Sequence, residues 1–125
     1  MKNVTDYTNL EVWSKCRKLA NAIYTHTRSF PETERFGLTN QMRRCSVSVP
    51  SNIAEGCGRY HDKETLHFLY IARGSLYELE TQVFISQDQN YMNQEQSQFI
   101  QSEIISCKKL LNGFIKFLKN SIHRP

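Results

Sequence analysis

The stretch NQEQSQFIQSEIISCKKLLNGFIKFLKN, residues 93–120, carries the clearest periodicity in the chain. Ile100, Ile104, Cys107, Leu111, Phe114 and Leu118 follow one another at steps of four and three, the spacing that gathers side chains on one face of an α-helix. Asn93 and Gln96 stand three apart, as in a capping box, and mark where that helix starts. A helix with a single apolar stripe must bury it against other elements, so the rest of the chain has to supply partners.

It supplies three more helices. Upstream, Leu69, Ala72, Leu76, Leu79 and Val83 repeat at threes and fours over residues 62–88, with Asp62 as the expected N-cap and an end before Asn90. Leu38, Met42, Cys45, Val49 and Ile53 form the stripe of a helix over 34–58, closed by Gly56 and Gly58. Pro50 lies inside it. The stripe continues from Val49 to Ile53, so burial favours a helix that bends at Pro50 and goes on, with Ser46, Ser48, Ser51 and Asn52 placed to satisfy the freed carbonyls. The first helix covers 9–29, with Val12, Cys16, Leu19 and Ile23 inward, Thr8 and Glu11 as its capping box, and Phe30-Pro31 as its stop. Amphipathic helices of this length on short connections predict an all-α, up-down antiparallel four-helix bundle, kinked in its second helix, with 1–125 as a single domain. No alternating strand pattern competes with it.

Composition narrows the function classes. At 125 residues the chain suits one core, and with 39% hydrophobic residues that core depends on periodic placement. No signal-like start and no apolar run near the ~18 residues of a membrane span is present, which predicts a cytoplasmic protein with no membrane partner. The scattered Cys16, Cys45, Cys57 and Cys107 are then expected as reduced thiols, most of them in the core. The net charge of +4 is uneven: +3 over 1–30, +1 over 31–61, −3 over 62–91 and +3 over 92–125. Lys108, Lys109, Lys116 and Lys119 fall within an arc of roughly 100° on the fourth helix, away from its seam. Arg17, Lys18 and Arg28 point away from the core of the first. These seven are the candidate contacts to the phosphates of RNA or DNA, and the alternative is a solvated surface.

Catalytic chemistry finds little footing. Glu64 and His67 make the one Glu-x-x-His triplet, roughly 140° and 160° from Leu69, where they face solvent; a di-iron bundle needs two such pairs pointing inward. Cys57 and His61 lack the further ligands of a zinc site and the orienting group of a nucleophile pair. Gly56-x-Gly58 has neither a third glycine nor a Lys-Ser/Thr sequel, so it is no phosphate loop. No enzyme activity, cofactor or metal is expected. Asn52 and Glu55 are candidates for a buried structural network with Arg43, Arg44, Arg59 or Arg73.

The segment NQMRRCSVSVPSNIAEGCGR, residues 40–59, together with LEVW at 10–13 and FLYIARGSLYELETQ at 68–82, resembles the signature of the bacterial 23S rRNA intervening-sequence proteins, in order and spacing over about residues 8–120. Cys45 replaces the family's usual alanine, and His61 its usual capping serine. The resemblance implies four helices, a ring-shaped homopentamer and little firm chemistry. Relatives act as accessory proteins of diversity-generating retroelements, which implies a reverse transcriptase, structured RNA or DNA as partners. The two expectations are a nucleic-acid-binding adaptor and an oligomeric protein-binding scaffold; apolar side chains without an obvious place in a four-helix core, such as Trp13, Phe68, Tyr70 and Tyr77, favour oligomerisation in both.

Overall fold

The computed structural model describes residues 6–122. Four α-helices form a bundle: α1 Glu11–Thr27, α2 Leu38–Cys57, α3 Asp62–Asp88 and α4 Gln94–Ile122. Each packs on its neighbours in the chain and α4 closes on α1, while the backbones of the diagonal pairs α1/α3 and α2/α4 stay further apart. With short connections this makes an up-down square whose α1/α2 flank lies opposite its α3/α4 flank.

The predicted stripes meet at the centre. Leu19, Ile23, Met42, Ile53, Leu69, Leu76, Leu79, Ile100, Ile104 and Leu111 are all sealed from solvent. Along α4 the seam drifts: Ile115 takes the buried position and Phe114 is half-buried at the edge. A strict seven-residue repeat outruns a straight helix of 3.6 residues per turn, so the inward residue shifts by one near the end.

The helix starts differ from expectation in instructive ways. The Thr8–Glu11 capping box does not form. Asp6 accepts instead from the Thr8 backbone at 2.9 Å, a 3-10 turn occupies Tyr7–Asn9, and α1 begins after Leu10 with no side-chain cap. The second helix starts at Leu38, not 34, because Glu32–Glu34 form a 3-10 turn and Gly37 departs from helical geometry at φ −109° and ψ −117°. Glu34 serves two elements from there: one oxygen accepts from Leu38 N at 3.0 Å, the other from the Tyr91 hydroxyl at 2.9 Å. Those bonds hold the Glu34 carboxyl below its ordinary range and push Tyr91 up. His61, not Asp62, occupies the N-cap of α3 and offers no side-chain bond. Asn93 and Gln96 do cap α4 reciprocally, at 2.8 and 3.0 Å. Asn90, at φ 63°, turns the chain out of α3 in the left-handed region that asparagine tolerates.

The second helix runs unbroken through Pro50. Ser46 and Ser48 hydroxyls bond the carbonyls of Arg43 and Cys45 at 3.0 and 2.7 Å, and the Asn52 amide bonds that of Ser48 at 2.8 Å. These flank the carbonyl of Ser46 that proline strips of its donor, without reaching it. Small side chains here let α3 come close: the Ser48 and Ser75 hydroxyls are hydrogen-bonded at 2.7 Å, and Cys45 Sγ donates to Ser75 O at 3.1 Å. One end of the same interface is tighter still. A Cβ on Gly56 would stand 3.0 Å from Phe68 Cβ and 3.1 Å from Thr65 O, and Thr65 Oγ1 already donates to Gly56 O at 2.7 Å. Gly56→Val therefore pushes branched carbons into a packed backbone, and urea unfolding should show a loss of roughly 1–3 kcal/mol; unchanged stability would mean that α2 and α3 are not held this closely.

Candidate interaction surfaces

Each flank of the square has its own chemistry, set by which positions of each helix the core leaves outside. On α3, burial of Leu69, Leu76 and Val83 turns Tyr70, Tyr77 and Phe84 outward, 40%, 52% and 55% exposed. Seven-residue spacing stacks them in one line along the helix. Ile105 of α4, 47% exposed, lies with Phe84 in a groove at one end of the α3/α4 flank. These three rings form an aromatic line on the outside of α3. Tyr70 and Tyr77 stood out in the sequence as side chains without a core position; Phe84 and Ile105 did not, although the repeat 70, 77, 84 was there to be read.

The structure divides the predicted basic residues. Lys108 is not part of a free stripe: its ammonium lies 2.9 Å from Glu80 of α3 and 4.1 Å from the Tyr77 ring centroid, and the side chain is largely buried. It misses the stripe because the α3-facing side of α4 includes its position. Lys109, Lys116 and Lys119 are exposed and have no carboxylate within ion-pair distance among the described residues. They share a strip with Ile105 and Asn112, and Asn112 accepts from Arg73 of α3 at 3.1 Å, so this strip borders the aromatic line. On α1, Lys15 bridges to Glu103 of α4 at 3.0 Å, whereas Lys18 and Arg28 are exposed with no carboxylate partner among the described residues and Arg17 lies over the Trp13 ring at 5.4 Å.

The expected buried network does not assemble. Arg43 reaches across to α1, donating to Thr27 Oγ1 at 3.0 Å and stacking over Tyr24 at 4.8 Å. Arg44 is exposed on the outer face of α2, and Asn52 is used by its own helix. Glu55 pairs with Arg59 at 2.9 Å, one turn away on the surface, with Arg59 also over Phe68 at 4.7 Å. Arg73 stacks on Tyr70 at 5.0 Å. The long arginines leave the crowded α2/α3 interface and satisfy themselves on ring faces and carbonyls at its edges.

Groups with chemical potential are muted or dispersed. Among the described residues no set of three or more His, Cys, Asp or Glu side chains is placed to hold a metal ion. No described helix is long and apolar enough to cross a membrane. The cysteines form no disulfide. Cys16 and Cys107 are both sealed in the core, and bonding to Cys107 with burial pushes the Cys16 thiol far up. Burial, with Glu78 adding repulsion, pushes Cys45 up to about 12.

The family model described as 23S rRNA-intervening sequence protein matches residues 8–113. Comparison with curated proteins returned no match. Among solved structures the chain is similar to one described as a protein with unknown function from the S23 ribosomal protein family of Bacteroides thetaiotaomicron VPI-5482. That alignment has 24% sequence identity and a TM-score of 0.76, and covers 84% of this chain and 95% of that one. At that identity the likeness concerns the fold.

The thiols supply a direct chemical check. With its pKa near 12, Cys45 holds only about one part in ten thousand of thiolate at pH 8. Iodoacetamide at pH 8 should therefore modify half-buried Cys57 first and reach Cys16, Cys45 and Cys107 only after denaturation, as read by mass spectrometry of the peptides. Rapid native labelling of Cys16 or Cys45 would contradict the packing described.

Proposed function

The chain belongs to the 23S rRNA-intervening sequence protein family, and from that premise we propose that it is a non-enzymatic, oligomeric adaptor that engages nucleic acid through its basic outer surfaces. The observation that carries this reading is an outside that presents a line of exposed rings on one flank and cations without carboxylate partners on the other. Tyr70, Tyr77 and Phe84 line one flank, while Arg17, Lys18, Arg28 and Arg44 stay free of carboxylates on the outside of α1 and α2 among the described residues. A line of exposed rings on a small bundle is the kind of patch that assembly covers. The family resemblance supports five copies in a ring. A ring repeats each basic patch around its axis, so individually weak phosphate contacts add by avidity.

A second reading, a scaffold that binds protein alone, draws on the two lysines that carboxylates neutralise. Lys108 is spent on Glu80, which leaves α4 a shorter basic stripe than its sequence promised, and Lys15 of α1 is spent on Glu103.

Both halves of the proposal are measurable. In light scattering the wild-type protein should run as a multiple of the chain mass, and Tyr77→Glu with Phe84→Glu should give a folded monomer with an unchanged circular dichroism spectrum. A wild-type monomer at micromolar concentration would remove the oligomer. Filter binding of a structured RNA should weaken as salt rises, the log–log slope growing by about 0.7 to 0.9 for each phosphate contacted. No retention at low salt would leave the scaffold reading in its place.

A further inference from the structure

The flank opposite the aromatic line combines cations with ring faces in a different way. Trp13, Arg17, Tyr24 and Arg28 follow at steps of four, seven and four, which sets them on one face of α1. Arg43 of α2 reaches Thr27 and the ring of Tyr24 on that face, so the face is the one turned toward α2. At its other end Tyr7 meets Trp13 edge-on, with centroids 5.2 Å apart. Tyr7 then lines an open cleft of about 610 Å³ with Ser51, Ala54, Glu55, Gly58 and Arg59 of the α2 side.

We propose that this α1/α2 flank is a binding track for a single-stranded polynucleotide, with bases stacking on the Tyr7–Trp13 and Tyr24 platforms and phosphates held by Arg17, Arg28 and Arg43. The inference rests on the adaptor reading and adds to it the face and the class of strand. Three physical points support it. First, each platform carries an arginine plane, Arg17 at 5.4 Å from the Trp13 centroid and Arg43 at 4.8 Å from that of Tyr24; a guanidinium on a ring offers a flat cationic surface to a base. Second, the charge is right. Glu55 is paired with Arg59 at 2.9 Å, and Asp6, held by the neutral Thr8, keeps one negative charge at the Tyr7 end, so Arg17, Arg28 and Arg43, with no carboxylate within ion-pair distance among the described residues, leave the track net cationic. Third, the platforms lie 11 residues apart on one helix, about 16 Å, a span that a few nucleotides of flexible strand cover. A duplex keeps its bases stacked inside and has nothing to offer such platforms beyond its phosphates. The free lysines of α4 border the opposite flank; in the assembly proposed above that flank is the subunit contact, which keeps the arginine track outside.

Trp13 is the single tryptophan of the chain, so the platform reports on itself. The full chain is titrated with oligouridine and oligodeoxythymidine of about 16 nucleotides and with a duplex of the same length. Both single strands should quench Trp13 fluorescence, the duplex should not, and the tighter of the two single strands identifies RNA or DNA as the natural form. Arg17→Glu with Arg28→Glu, both at exposed positions, should weaken single-strand binding at least tenfold and lower the salt slope by about 0.7 per contact removed. Tyr24→Ser should weaken single-strand binding about fivefold or more and leave the salt slope in place. Lys109→Glu with Lys116→Glu should keep the Trp13 quench and hold affinity within about threefold. Equal affinity for duplex and single strands without a fluorescence change, or loss of single-strand binding with the lysine pair and not the arginine pair, overturns the track while the adaptor reading survives. Failure of all three nucleic acids to bind overturns both.

Discussion

The close approach of α2 to α3 governs the rest of the molecule. These helices share the most extensive contact in the bundle. It is made possible by small groups: Cys45, Ser48 and Gly56 on one side, Thr65 and Ser75 on the other, with hydroxyls and a thiol bonded across the gap at 2.7 to 3.1 Å. Such short contacts permit little rotation of either helix. Once Ser75 faces α2 and Leu76 and Leu79 face the core, Tyr77 has to lie on the α4 side and outside. The aromatic line at Tyr70, Tyr77 and Phe84 is thus a geometric consequence of a polar, small-residue interface two faces away.

The same constraint explains where the arginines end up. A seam this tight has no room for guanidinium groups, and an unpaired one inside would carry a heavy desolvation cost. Arg43 leaves toward α1 and settles over Tyr24, Arg59 folds back to Glu55 and Phe68, and Arg73 turns toward Asn112 and Tyr70. Basic charge is thereby moved from the α2/α3 interface onto the flanks, where it meets exposed rings. Stacking of cations on rings then holds those side chains flat and extended along the surface.

Charge pairing sorts the lysines by the same geometric logic. Lys15 and Lys108 sit where α4 touches its neighbours, so each finds a carboxylate on the adjoining helix and becomes part of the clasp that closes the square. Lys109, one residue further along, turns 100° outward and finds none among the described residues. A basic stretch of sequence thus splits into structural and available charge at the resolution of one residue.

Much of this was legible in the chain. Four apolar stripes of helical period, the Asn93–Gln96 cap and the continuation of the Val49–Ile53 stripe past Pro50 are local patterns, and local hydrogen bonding and periodic burial suffice to decide them. The misjudged starts at Thr8 and at residue 34 fell where two local solutions compete and a distant partner chooses: Tyr91, 57 residues away, holds Glu34, which then caps Leu38. Which charges are free, which arginines share a partner and which rings line a common flank could not be read in advance, since each depends on the angle at which one helix meets the next. The sequence by itself determined that there would be helices and which stripe of each would be buried, because burial acts along one helix at a time. Only the tertiary structure decided what stands beside what on the outside, because that follows from the rotation of whole helices against each other, set by contacts as small as Ser48 on Ser75.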